Sequence, residues 1–264
     1  MINDDFFNNI EEYIKKTDIE FEILFIDSTT KDKIDLLVNN ILIKYKVEKY
    51  YEDVIYILME LITNAVKARY LHLISLKVLS EMYPNYSLDE YYNNPEIMKK
   101  YSDIFRDEES REKLKSILKN ENKIIYSNKN IDIDNFYNDI LLLNDNTKSK
   151  FIIKLFIHIT KNNIEFDVVN DSPLIMLGRT RIDSKRLTFK EYYNNDMVES
   201  FFLEQLDNTE SAGFGLALCD LRLYNIGLEP TKHLKIYNDD NKTHSKLIIP
   251  IKGVFSHLIF HNKY

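Results

Sequence analysis

Glu60 and Asn64 stand one helical turn apart in Glu60-Leu61-Ile62-Thr63-Asn64-Ala65-Val66-Lys67-Ala68, and Lys67 follows one turn later. At i, i+4 and i+7 the three side chains share one side of a helix. That side would carry a carboxylate able to take a proton, a carboxamide oxygen able to ligate a hard cation and an ammonium able to meet a phosphate as a point charge. A solvated helix face can have the same composition, so the stretch gains meaning from a second one. Ser211-Ala212-Gly213-Phe214-Gly215-Leu216 opens another helical pattern. The first N–H groups of a helix have no internal acceptor, and its N-terminus carries partial positive charge. Glycines there let the backbone approach an anion without a Cβ in the way. Composition ties the two stretches together. The chain has only four alanines (Ala65, Ala68, Ala212, Ala217), and two of its five glycines are Gly213 and Gly215. A sequence this poor in small residues places them where something comes close to the backbone. The two segments read as opposite walls of one nucleotide site.

The elements that must position these residues follow from periodicity. Residues 21–26 read as a strand that runs into a helix cap at Asp27-Ser28-Thr29-Thr30, and 31–47 repeat apolar residues at helical spacing. From about Glu52 a long helix begins, with an apolar stripe of Val54, Leu58, Leu61 and Ala65 widened by Ile55, Met59, Ile62 and Val66. It continues to Tyr83, where Pro84 stops it. Residues 72–148 read as a mainly helical block. Its signals are a capping box at Ser87 and Glu90, a cap and first helical position at Asn94-Pro95, a cap at Asp107 before 108–118, and a helix over 134–143. Residues 150–160 and 164–169 form a hairpin about Lys161-Asn162-Asn163 that ends in Asn170-Asp171-Ser172-Pro173. Residues 174–210 read as irregular and carry Arg179, Arg181, Lys185 and Arg186, the pattern of a mobile cover. A helix over 213–226 stops at Gly227, and 233–237 with 245–251 make a last hairpin.

Bulk properties narrow the classes. With 264 residues, 44% hydrophobic and 12% aromatic, the chain can bury a core as one large domain with an insertion. Gly and Pro, five each, fall well below the usual roughly 7% and 5%, which favours helix-rich order over linkers. A net charge of −7 argues against general affinity for nucleic acid or an anionic membrane. Cys219 is the only cysteine, so no internal disulfide or thiolate zinc cluster can form. The acidic N-terminus lacks a signal-peptide core, and no apolar run approaches the ~20 residues a membrane helix needs. A cytoplasmic protein is expected.

In this order, Glu60-x-x-x-Asn64 on a helix, a strand ending in a polar turn at 170–173, Gly213-Phe214-Gly215-Leu216 opening a helix, and a terminal hairpin, the chain resembles the GHKL ATPase superfamily. The resemblance covers roughly residues 20–70 and 150–251. It implies an α+β fold, the two-layer α/β sandwich called the Bergerat fold, with a mixed sheet backed by helices. The whole of 1–264 would form one such domain, with 72–148 as a helical insertion and 174–210 as an ATP lid. By resemblance Asn64 binds Mg²⁺, Glu60 is the general base, and Lys67 meets a phosphate. Ser211, Gly213, Phe214, Gly215 and Leu216 hold the triphosphate of ATP. Asn170 stands where the family has an aspartate that reads the adenine amino group, an accepting role an Asn carbonyl can also fill. Thr243 corresponds to a family threonine near the base. The chain departs from the pattern in its first glycine box, Asn170-Asp171-Ser172-Pro173-Leu174, where both glycines are gone, and in Ser211, which replaces the first glycine of the second box.

None of the six histidines precedes an acidic residue, so no phosphoacceptor site of the histidine-kinase kind is visible, and His72 reads as a packing or surface residue. The layout looks most like the anti-sigma-factor serine kinases and histidine-kinase-like ATPase domains. That implies an ATP-binding signalling regulator acting on a protein partner as a kinase or ATPase. The alternative is a catalytically degenerate module of the same fold that binds a partner, or itself as a homodimer, without ATP turnover.

Overall fold

The computed structural model describes residues 6, 9–23, 26–126, 153–174, 176–207 and 214–251. The helix expected over 134–143 lies outside them. Five strands form one sheet: β1 (Asp18–Ile23), β2 (Ile153–Ile159), β3 (Asn163–Asn170), β4 (Leu234–Asp239) and β5 (Lys242–Pro250), in the order β1-β2-β3-β5-β4. Each pairing is antiparallel, where a mixed sheet was expected. Alternation decides the layering. Ile19, Phe21 and Ile23 of β1, Leu155 and Ile157 of β2, Phe166 and Val168 of β3, and Leu247 and Ile249 of β5 are buried on one face. The other face carries cross-strand ion pairs, Lys154 with Glu20 and Glu22, and Lys246 with Glu165 and Asp167.

Helices cover the apolar face, so the architecture is the expected α+β two-layer sandwich. Among them, α1 (Ile10–Tyr13) is a single turn. Asp27 caps α2 (Ser28–Lys44) by accepting the Thr30 N–H at 2.6 Å, as the sequence indicated. The central element is α3 (Tyr51–Met82), 32 residues with no Gly or Pro, whose first turn carries Glu52 and Asp53 against the helix dipole. Val54, Leu58, Leu61 and Ile62 pack with the sheet and with Ile34, Leu37 and Ile41 of α2. Each fully buried aliphatic side chain of this kind contributes about 1.5–3 kcal/mol.

Beyond Arg69, α3 outruns the sheet and builds a second core. Leu73, Leu76 and Leu79 meet Tyr91 of α4 (Leu88–Asn93) and Ile97, Tyr101 and Ile104 of α5 (Pro95–Arg106). The expected caps form here: Ser87 and Glu90 make a capping box, and Asn94 accepts from the Glu96 and Ile97 N–H groups ahead of Pro95. A longer helix than expected, α6 (Glu108–Tyr126), then returns Ile117 to the main core.

Residues 176–207 are not irregular. They form α7 (Met176–Asn194) and α8 (Val198–Asp207), whose Phe189 and Phe201 join Ala217 of α9 (Phe214–Asn225) in a third cluster. Gly227 ends the following turn at φ +77, a conformation glycine adopts at little cost. A four-residue helix, α10 (Pro230–His233), leads into β4. The β4–β5 turn places Asp240 and Asn241 at φ 46 and 59, a hairpin geometry these residue types tolerate.

Candidate functional site

The α3–α9 contact brings Glu60 to Gly215. A Cβ built on Gly215 would lie 1.8 Å from Glu60 Oε1 and 2.3 Å from its Cδ, so glycine is what lets the carboxylate reach this helix start. On either side, Phe214 packs its ring on Phe202 of α8 at 4.9 Å, and Leu216 packs against the main core. One turn along α3, Asn64 Nδ2 donates to Glu60 Oε1 at 3.0 Å. An ionised carboxylate only accepts, so the amide nitrogen must face it and the amide oxygen turns the other way. Glu60, Asn64, Phe214, Gly215 and Leu216 therefore sit at one place. Lys67 is exposed, and Ser211 and Gly213 lie outside the described residues.

The flank of this contact is charged and partly dry. Arg222 of α9 pairs with Asp53 at 3.0 Å and stacks over the Tyr56 ring at 4.0 Å. Burial, with the Glu60 charge adding to it, pushes the Cys219 thiol up. Cys219 is thus a packed thiol rather than a nucleophile.

The second group forms at the end of β3. Asn170 faces Thr243 in the β3–β5 register. Its carbonyl, expected to accept from a base, accepts the Ser172 N–H at 2.8 Å in an Asx turn. Thr243 Oγ1 donates to the Ser172 carbonyl at 2.6 Å. Asn238 clamps Leu174 from both sides, accepting its N–H at 2.8 Å and donating to its carbonyl at 2.6 Å. Side-chain bonds thus hold this turn in place of the two missing glycines.

Sequence reasoning missed what lies over that turn. His72 is fully buried; Nδ1 bonds the Tyr101 hydroxyl at 2.7 Å and Nε2 the Tyr92 hydroxyl at 3.0 Å. Burial takes His72 down to about 3 and pushes Tyr101 and Tyr92 up; the Ser172 side chain's hydrogen bond acts against this at Tyr101, while the Asp171 charge adds to it at Tyr92. A neutral imidazole has one donor and one acceptor nitrogen, so one tyrosine donates to it and the other accepts. α4 and α5 are in this way hydrogen-bonded to α3, and through Tyr101 to Ser172 of the 170–174 turn. Only a long apolar helix bearing a lone His hinted at this, because its partners lie 20 and 29 residues away.

Also unforeseen is how 176–207 is held. Arg186 of α7 makes two bonds of 2.8 Å to Asp220 of α9 and two more to the carbonyls of Leu234 and Pro230. Arg179 donates to the Ile236 carbonyl. Burial raises the Asp220 carboxyl, and the Arg186 bonds pull against that.

No family model and no solved structure matches the chain. An uncharacterized protein of Treponema pallidum (strain Nichols) is 26% identical over 98 residues, 37% of this chain and 18% of that protein. The chain thus spans less than a fifth of the length of the relative it matches. No helix among the described residues is long and apolar enough to cross a membrane.

Proposed function

We propose that this chain is a cytoplasmic purine-nucleotide-binding regulator of the GHKL kind, with ATP as the nucleotide the resemblance implies and a protein as its target. The observation that carries the reading is the meeting of Glu60, with Asn64 bonded to it, and Gly215 at the start of α9. The residues fit a magnesium-bound triphosphate on that side. The Asn64 amide oxygen is turned away from Glu60 and offers one hard ligand, and a glycine-opened helix start favours anions. Bound magnesium would supply neutralisation of phosphate charge. Glu60 would orient the attacking hydroxyl or water and take its proton.

A second reading has its own support. Ser172 and Leu174 stand where glycines are expected, and Tyr101 of α5 is hydrogen-bonded onto that turn. This favours a degenerate module that binds a partner, or a second copy, without turnover. Melting the full chain with and without Mg-ATP separates the readings. Nucleotide at 100 times its dissociation constant stabilises by about 2.7 kcal/mol. Glu60→Ala should keep that shift and abolish phosphate release. No shift at millimolar nucleotide removes the first reading.

A further inference from the structure

We infer that Arg222 is a positioning residue for Glu60: it fixes where α9 stands along α3, and so where the Glu60 carboxylate meets the Gly215 backbone. The role of Glu60 in proton transfer rests on the nucleotide reading above, whereas the positioning itself does not. The sequence places the parts on two matching faces. Asp53, Tyr56, Glu60 and Asn64 follow one another along α3, and Gly215, Cys219 and Arg222 along α9. Steps of three and four residues keep each set on one side of its helix. Contacts then fix the pairing. Gly215 lies against Glu60, and Arg222 against Asp53 and Tyr56, so the two helices run antiparallel along this seam. Fully buried Cys219 lies between, where the Glu60 and Arg222 charges both reach it.

A glycine allows close approach, but it offers no side chain to choose where one helix stops along the other. The other end of the seam supplies that choice. Arg222 Nη1 donates to Asp53 Oδ1 at 3.0 Å, and its guanidinium carbon lies 4.0 Å from the Tyr56 ring centroid. Among the described residues this is the one side-chain hydrogen bond between α3 and α9. The two contacts act in different directions. Stacking sets the distance from the ring, and the hydrogen bond sets where the planar group lies over it, which a lysine could not reproduce. The Asp53 side chain is 20% exposed, so this pair is screened less than one in open water. A helix is stiff over the roughly 10 Å from Arg222 to Gly215, so the position set at one is kept at the other. Proton transfer is sensitive to such placement, since a displacement of about 1 Å can cost about a hundredfold in rate.

The test combines Glu60→Ala and Gly215→Ala in a double-mutant cycle read by urea unfolding, in the natural chain and again with Arg222→Met. A Cβ at 215 must push Glu60 aside while α9 is held, so the natural chain should show coupling between the two positions. With Arg222→Met, which keeps the aliphatic stem, α9 can shift and the coupling should fall to less than half. Arg222→Lys, which keeps the charge without the planar stack, should fall between, and it decides alone if Arg222→Met does not fold. A residue that only adds stability lowers every variant equally and leaves the coupling unchanged. That result overturns the inference, as does an absence of coupling in the natural chain. Phosphate release from Mg-ATP gives the second readout. Arg222→Met should lower kcat roughly tenfold to a hundredfold while KM stays within about twofold. An unchanged kcat, or a loss confined to KM, overturns the inference. Should the natural chain neither bind nor hydrolyse Mg-ATP, the nucleotide reading falls, and the urea couplings still decide the positioning.

Discussion

The two ends of the candidate site are held by opposite means. At one end, Glu60 reaches the start of α9 because Gly215 has no side chain, and the contact is a side-chain carboxylate against bare backbone. At the other, the Asn170 side-chain oxygen, the Ser172 N–H and carbonyl and the Leu174 N–H and carbonyl are all bonded, and Tyr101 of a His–Tyr network reaches Ser172. The first end rests on a residue with no side chain. The second is held by side-chain hydrogen bonds to its backbone, which give it rigidity at the cost of tolerance.

Substitution should expose that contrast most sharply at Tyr101, which is 1% exposed. Tyr101→Ala removes a buried ring and strands His72, and it should lose about 4 kcal/mol in urea unfolding. A loss under about 1 kcal/mol would mean that this end is not rigid. Arg186→Met comes next. It leaves the Asp220 carboxylate, 4% exposed in its side chain, without its partner and should lose about 3 kcal/mol. Arg186→Met with Asp220→Leu should recover most of that loss.

Acid sharpens the comparison further. Unfolded His72 takes a proton near its ordinary 6.5, whereas the folded ring does so only near 3. Between those values the unfolded chain binds a proton that the folded chain does not. The contribution is complete above about pH 6.5 and is lost as pH falls toward 3, at up to roughly 1.4 kcal/mol per pH unit. Urea midpoints from pH 7 to 4 should show the slope in the natural chain and a shallower one in His72→Leu. The smallest effect belongs to the Glu60–Gly215 end. Gly215→Ala gains about 1 kcal/mol of helix propensity but must push Glu60 aside. The gain should therefore appear in full only when Glu60 is already Ala, a coupling that a double-mutant cycle reads.

What the sequence disclosed follows the same division. Scarcity of Ala and Gly marked α3 and α9, because small residues report local backbone approach. The caps at Asp27, Ser87 and Asn94, and the stop at Pro84, were legible for the same reason: each is decided within four residues. Helix α7 was not legible. Its order depends on Arg179 and Arg186 reaching carbonyls 57 and 48 residues away, which no periodicity encodes. The Asn170 carboxamide is a subtler case. Its identity was plain, but which of its atoms faces outward depended on where the Ser172 amide lies.

The arginines of α7 also decide how the sheet ends. β4 is a border strand, yet the carbonyls of Leu234 and Ile236 already accept guanidinium protons, so an incoming strand finds those sites taken. The opposite border among the described residues, β1, carries Asp18, Glu20 and Glu22 along its solvent side, each already paired across to His158 or Lys154 of β2. Strand addition is thus discouraged on the β4 flank by guanidinium capping of its carbonyls.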